Sequence, residues 1–507
     1  MELLNNLWFG LSVAASPINL IYCFIGVALG TAIGVLPGLG PAATMALLLP
    51  ATYVIPPVSA IIMLSGIFYG AMYGGSTTSI LLNLPGEAAS VVTTLDGYQM
   101  ALQGRAGPAL GISAFGSFIA GTVTVIGLML FGPPLAEMAI RFHPPEYFSL
   151  VLLALMLVAY LVGRSILKGV IMAILGLALA MVGTDPVTGV LRYNLGFMEL
   201  ADGIDFTPLV VGLFGVAEVL STAEEKVRLE ILNTKITNIY PSKKDWIQAK
   251  WAILRGSLIG FFVGILPGGG ATISSFVAYA IEKKVSKTPE KFGTGMIEGV
   301  AAPESANNAG SGASFIPLLT LGIPGNPSIA MIFAAFLIHG IRPGPMLLKE
   351  HPDIFWGIIA SMYIGNIMLL VLNLPLIGLF IKILRVPYHY LGPLILSLCF
   401  IGAYSVSSSI TDLWLVIFFG IIGYLFRKLE FPVAPLILAF VLGKLFETTL
   451  RQSLIFSRGS FAIFFNRPIS GFFMILLCAL ITITLSKAVI SLLSRRPMSK
   501  KVFEVDE

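Results

Sequence analysis

The sequence predicts an all-α polytopic membrane protein of about 10–12 transmembrane helices. Its helices should form two inverted-topology repeats, each with a re-entrant hairpin and a broken helix. Three observations predict this. Charged residues make up 11% of the 507 residues and hydrophobic ones 56%, against about 25% charged in soluble domains; mean hydropathy is +0.92. From Leu3 to Gly86 there is no Asp, Glu, Lys, Arg or His, a stretch of about 126 Å as helix at about 1.5 Å per residue. The two halves also share a glycine and proline pattern. Such a chain cannot build a soluble surface, so disordered, coiled-coil, secreted disulfide-scaffold and free nucleic-acid-binding readings are excluded. Its long apolar runs lack the strict alternation of a spanning barrel.

The elements follow in order. Residues 1–16 read as a short interfacial helix anchored by Trp8 and Phe9. No basic n-region precedes them, so no cleavable signal peptide is expected. The N-terminal half, 1–221, holds a hairpin at about 18–53 and a broken helix at about 57–86. Further apolar runs follow at 107–132, 147–163, 165–183 and 207–221. A polar linker, 222–252, carries Lys226, Arg228, Lys235, Lys243, Lys244 and Lys250, followed by Arg255. The positive-inside rule makes it cytoplasmic. The C-terminal half, 253–494, holds a hairpin at about 253–281 and a broken helix at about 296–325, then more apolar runs. The tail 495–507, with Arg495, Arg496, Lys500 and Lys501, also reads as cytoplasmic. Cys23, Cys399 and Cys478 lie far apart in apolar runs and are expected to be buried free thiols.

The repeat is explicit. Gly26, Gly30, Gly34, Leu36, Pro37, Gly38 and Gly40 recur 230 positions later as Gly256, Gly260, Gly264, Leu266, Pro267, Gly268 and Gly270. Gly75-Ser76-Thr77-Thr78-Ser79 corresponds to Gly310-Ser311-Gly312-Ala313-Ser314, and Leu84-Pro85-Gly86 to Ile323-Pro324-Gly325. Order is kept and offsets drift slightly, as in a duplicated unit. Basic clusters flank the second hairpin on both sides, the later one at Lys283, Lys284, Lys287 and Lys291. That hairpin should therefore enter and return on the cytoplasmic side. No Lys or Arg precedes Arg105, so the first hairpin should enter from the opposite face.

The helix breaks locate candidate chemistry. Gly and Pro at hairpin tips leave backbone N–H and C=O groups unpaired, which is tolerated where they line a polar cavity. Half-helix N-termini favour anions. Candidate substrate-binding residues are therefore Pro37, Gly38 and Gly40 in the first tip and Pro267, Gly268 and Gly270 in the second. The GxxxG spacing before each tip has a plainer use, close helix packing. Ser76, Thr77, Thr78 and Ser79 are consecutive hydroxyls that suggest an unwound, ligand-binding segment; Ser311 and Ser314 are their counterparts. Asn83 and Asn326 flank the second breaks and complete the substrate set. Glu304, with Asn307 and Asn308, is the candidate ion-coupling group, because an intramembrane carboxylate is expensive unless it serves a function. The alternative is a solvated Glu304 at a cytoplasmic mouth. Glu87 and Asp96 read as solvated loop acids. Arg105 and Arg342 read as interfacial side chains that snorkel, with anion clamping as the alternative. No Cys/His cluster suggests a metal site, so no metal beyond a coupling Na⁺ is expected.

These motifs resemble the large membrane subunit of the tripartite tricarboxylate transporters, the TctA family of bacteria. The resemblance runs over nearly the whole chain. It is carried by Gly34-Val-Leu-Pro-Gly-Leu-Gly-Pro41, Tyr73-Gly-Gly-Ser-Thr-Thr-Ser79, Leu84-Pro-Gly-Glu87, Ala302-Pro-Glu-Ser-Ala-Asn-Asn308 and Ile338-His-Gly-Ile-Arg-Pro-Gly-Pro345. It implies a multi-pass subunit of the bacterial cytoplasmic membrane that imports an organic carboxylate by Na⁺ or H⁺ symport, with no cofactor. It implies two partners, a small membrane subunit (TctB-like) and a periplasmic solute-binding protein (TctC-like). A homodimer is compatible with it, and nucleic acid is not a partner. The absence of a G-x4-G-K-[ST] phosphate loop agrees with secondary transport.

Three other readings compete. One is a stand-alone ion-coupled carboxylate carrier. The second is an intramembrane hydrolase with Ser311 or Ser314 as nucleophile and His339 as base. The first repeat has the hydroxyls but no such histidine, which favours a transporter over an enzyme. The third is an ion channel, for which no charged ring or filter motif is present.

Overall fold

The computed structural model describes residues 2–36, 40–162, 165–185, 187–194, 196–224, 238–383 and 388–493. Pro37 and Gly38, residues 225–237 of the linker and the basic tail lie outside them. The first half comprises α1 (Glu2–Ala14), α2 (Pro17–Val35), α3 (Pro41–Leu48), α4 (Pro57–Leu82), α5 (Val91–Leu102), α6 (Ala106–Ala139), α7 (Pro144–Val162) and α8 (Ile166–Ala180). A two-residue antiparallel ribbon, β1 (Gly183–Thr184) with β2 (Leu191–Arg192), leads to α9 (Phe206–Val210), a π-helical turn (Val211–Val216) and α10 (Ala217–Glu224). The second half comprises α11 (Lys243–Ile265), α12 (Gly270–Val285), α13 (Glu298–Ala313), α14 (Phe315–Leu321), α15 (Pro327–Ile338), α16 (Leu347–Glu350), α17 (Pro352–Asn373), α18 (Ile377–Ile383), α19 (Tyr388–Ser407), α20 (Ile410–Lys428), α21 (Val433–Phe456), α22 (Ile463–Asn466) and α23 (Pro468–Leu493).

The protein is thus an all-α polytopic membrane protein. Among the described residues, eight helical stretches are long and apolar enough to cross a bilayer, and shorter apolar helices such as α8 and α15 accompany them. Two compact units are present. The larger spans 1–141 and 157–443 and contains both repeats. The smaller joins 142–156 to 444–507; in it Arg467 donates to Glu146 at 2.5 Å and Ser149 bonds Ser470 at 2.7 Å.

Glycine spacing sets the packing of the larger unit. On α2, a Cβ at Gly26, Gly30 or Gly34 would collide with the carbonyls of Met63, Ile67 and Ala71 on α4. On α11, Gly256, Gly260 and Gly264 meet Ala302, Ala306 and Gly310 of α13 in the same four-residue steps. The duplicated motif therefore builds two equivalent helix pairs with backbones in direct contact. α4 in turn lies deep in the unit, with every residue from Ser59 to Leu82 buried. Its small residues at 65, 66, 70, 71, 74 and 75 admit neighbours on all sides. The second hairpin is clasped by Arg255, which donates from Nε and Nη2 to the two Glu282 oxygens at 2.8 and 2.6 Å.

Several sequence expectations are corrected here. Ser76–Ser79 are not unwound; α4 runs through them to Leu82. Back-bonding absorbs two of the hydroxyls: Ser79 Oγ donates to Gly75 O at 3.0 Å and Thr78 Oγ1 to the same carbonyl at 3.3 Å. The break falls later, at Asn83, which adopts a left-handed φ of 57°. Asp96 is fully buried rather than solvated, because the N–H groups of Gly293, Gly295 and Met296 and the Tyr279 hydroxyl all donate to it. Glu87 is also buried. Arg105 pairs with Asp245 at 2.6 Å, whereas Arg342 is exposed. Cys478 is exposed, unlike Cys23 and Cys399.

Candidate functional site

Four chain breaks, two from each half, meet around one cavity of about 570 Å³, a volume within the usual range of about 300–1,000 Å³ for small-molecule sites. Gly40 and Pro41 come from the first hairpin, Pro85 and Gly86 from the first broken region, Gly268–Gly270 from the second hairpin, and Gly325 and Asn326 from the second.

Local chemistry explains each approach. Gly268 (φ 80°) and Gly270 (φ 47°) take left-handed conformations that favour glycine. The Gly268 N–H donates to the Gly325 carbonyl at 2.8 Å, tying the second hairpin tip to the break after α14. Gly86 has no room for a side chain, since a Cβ there would overlap the Gly34 carbonyl.

Three helices begin at this cavity: α3 after Gly40, α12 after Gly269 and α15 after Asn326. First-turn N–H groups have no intrahelical acceptor, and the helix dipole adds partial positive charge. Three such termini at one cavity suit an anion. Asn326 caps α15, its Oδ1 accepting from Ile329 N–H at 3.0 Å.

A second polar group lies behind the cavity wall. Glu304 on α13 is fully buried and accepts hydrogen bonds from Ser76, Thr93 and Ser113. It is therefore not a solvated mouth residue. One turn on, Asn307 Nδ2 donates to Glu87 Oε1 at 3.2 Å. Glu87 lines the cavity and also accepts from Ala89 N–H at 2.6 Å. Asn307 Oδ1 is buried without a hydrogen-bond donor. Asn308 Nδ2 donates to Ser117 Oγ at 2.6 Å. Ser275 of α12 donates to the Ala89 carbonyl at 2.8 Å, a further bond between the halves.

The sequence-predicted residues thus divide. Gly40, Gly268, Gly270 and Asn326 line the cavity. Pro267 lies behind it, with its Cα against Gly325. Ser76 joins Glu304, Asn307 and Asn308 in the buried polar group. Thr77, Thr78, Ser79, Asn83, Ser311 and Ser314 do not line the cavity; Asn83 is exposed, and Ser311 and Ser314 donate to carbonyls of their own helix. Neither serine is hydrogen-bonded to His339. Pro37 and Gly38 lie outside the described residues.

Sequence reasoning missed Thr93 and Ser113, which hold Glu304, and the cavity-lining Glu87, Glu218 and Arg427. For Glu87 a signal existed: it ends the Leu84-Pro-Gly-Glu87 motif. Glu218 and Arg427 belong to no motif and are brought together by the packing of α10 on α20.

The family model described as "Tripartite tricarboxylate transporter TctA family" matches residues 20–438. An Agrobacterium vitis protein described as an uncharacterized 52.8 kDa protein in the TAR-I ttuC′ 3′ region is 49% identical over 504 residues, 99% of each chain. A second from the same organism, in the TAR-II ttuC′ 3′ region, is 51% identical over 212 residues, 42% of this chain and 88% of that one. No solved structure matches.

Proposed function

Because the chain belongs to the tripartite tricarboxylate transporter TctA family, we infer that it is the large permease subunit of a binding-protein-dependent secondary transporter. It imports an organic carboxylate, a tricarboxylate or a related di- or monocarboxylate, across the bacterial inner membrane by Na⁺ or H⁺ symport. A TctC-like periplasmic protein delivers the substrate, and a TctB-like small subunit completes the complex. The linker and tail are cytoplasmic, and the two repeats have inverted topology.

The observation that carries this reading is the meeting of four chain breaks and three helix N-termini at one cavity. A carboxylate there accepts hydrogen bonds from first-turn N–H groups. Glu304, held by hydroxyls that can donate to a carboxylate or accept from a carboxylic acid, takes the coupling proton, or with Asn307 and Asn308 a Na⁺. The Asn307–Glu87 bond connects that group to the cavity wall. The close glycine-lined contacts fit a sliding or rocking of the hairpins during transport.

The test is uptake of labelled organic acids into membrane vesicles, with and without the binding protein, under imposed Na⁺ or H⁺ gradients. Gradient-driven uptake that requires the binding protein is expected, and it identifies substrate and ion. Uptake indifferent to the binding protein indicates a stand-alone carrier. No uptake of any acid by the folded protein overturns the reading.

A further inference from the structure

The cavity has one feature that the repeat does not supply. Glu218, from α10, and Arg427, from the last turn of α20, both line it and form an ion pair. Arg427 is the one cation among the described residues that line the cavity. The Glu218 side chain is 9% exposed and that of Arg427 31%. Around them the wall is apolar, formed by Leu161, Val162, Phe214, Ala434 and Leu438. The π-helical turn that precedes α10 carries Phe214 into this wall.

An ion pair on an apolar wall is costly to desolvate and is a weak source of stability. It gives the cavity a guanidinium with five N–H donors in a fork that matches a carboxylate. It also places a carboxylate beside that guanidinium before any substrate arrives. We propose that Arg427 receives a second carboxylate of the substrate, and that Glu218 is a built-in competitor which occupies the guanidinium until a substrate carboxylate replaces it. The proposal rests on the carboxylate-carrier reading and deepens it. One substrate carboxylate lies at the helix N-termini and another reaches Arg427. An acid with a single carboxylate fills only the first place. The pair then discriminates among acids by their number of carboxylates.

The test is thermal stabilisation of the purified full chain in detergent by titrated succinate, citrate and acetate. Arg427→Gln should weaken the apparent affinity for succinate and citrate by roughly tenfold, about 1.4 kcal/mol, and that for acetate much less. Arg427→Lys, which keeps the charge but loses the fork, should fall between. Glu218→Gln should act in the opposite direction and tighten succinate and citrate severalfold. A merely structural ion pair predicts that Arg427→Gln and Glu218→Gln weaken binding together, and that result overturns the proposal. So does an unchanged affinity in both. If Arg427→Gln fails to fold, the sign of the Glu218→Gln effect still decides. A wild-type chain stabilised by none of the three acids removes the carboxylate reading and the proposal with it. A wild-type response that Glu218→Gln weakens removes the proposal alone.

Discussion

Asn307 Nδ2 donates to Glu87 Oε1 at 3.2 Å, joining the second repeat to the first at the cavity wall. Asn307 lies one turn beyond Glu304 on α13, so the helix that carries the buried carboxylate also donates a hydrogen bond to the carboxylate that lines the cavity.

Glu304→Gln keeps the size of the side chain and removes its capacity to bind a proton or Na⁺ as a carboxylate. Gradient-driven uptake should fall by at least roughly tenfold, because intramembrane carboxylates of this kind act as ion sites. Exchange of labelled for unlabelled substrate without a gradient should persist. Vesicle assays of both modes check this; retained gradient-driven accumulation counts against coupling through Glu304.

Glu87 combines a cap and a link. Glu87→Gln retains an oxygen for the Ala89 N–H and should keep the fold, while altering uptake. Glu87→Ala removes the cap as well and should lower stability by about 1 kcal/mol more, the usual value of an N-cap side chain. Chemical or thermal unfolding in detergent, set beside uptake, separates the two effects.

Asp96 accepts three backbone N–H groups and the Tyr279 hydroxyl. Asp96→Asn replaces an acceptor by a donor at a site crowded with donors and should cost about 2–3 kcal/mol. Tyr279→Phe, which deletes one hydroxyl, should cost about 1 kcal/mol. The ratio of the two shifts in unfolding midpoint is the measurement; equal shifts would show that the backbone donors contribute little.

Gly30→Ala on α2 and Gly260→Ala on α11 each place a Cβ against a neighbouring carbonyl. Overpacking of this sort costs about 1–3 kcal/mol. Because the contacts are equivalent in the two repeats, the two variants should lose similar stability. Gly40→Ala, where a Cβ meets open space, should lose much less.

Composition and pattern by themselves determined the all-α membrane fold, the duplication and the chain breaks marked by Gly and Pro, but not the course of α4 through Ser76–Ser79. An apolar solvent forces backbone groups into helices, and Gly and Pro mark where helices stop, so these features are local. Gly268, Gly270 and Asn326 were legible for that reason, as was Glu304, a lone acid in an apolar run. Tertiary structure alone decided how the polar side chains are used. Ser76, Thr78 and Ser79 look ligand-binding in sequence, yet carbonyls one turn back and Glu304 satisfy them, which only a helix in place can show. Asp96 looks like a loop acid until the backbone of 293–296 folds over it. Thr93 and Ser113 meet Glu304 across about two hundred residues, and Glu218 meets Arg427 across a similar separation. Pairings at that range depend on which helices pack together, and no local pattern records that.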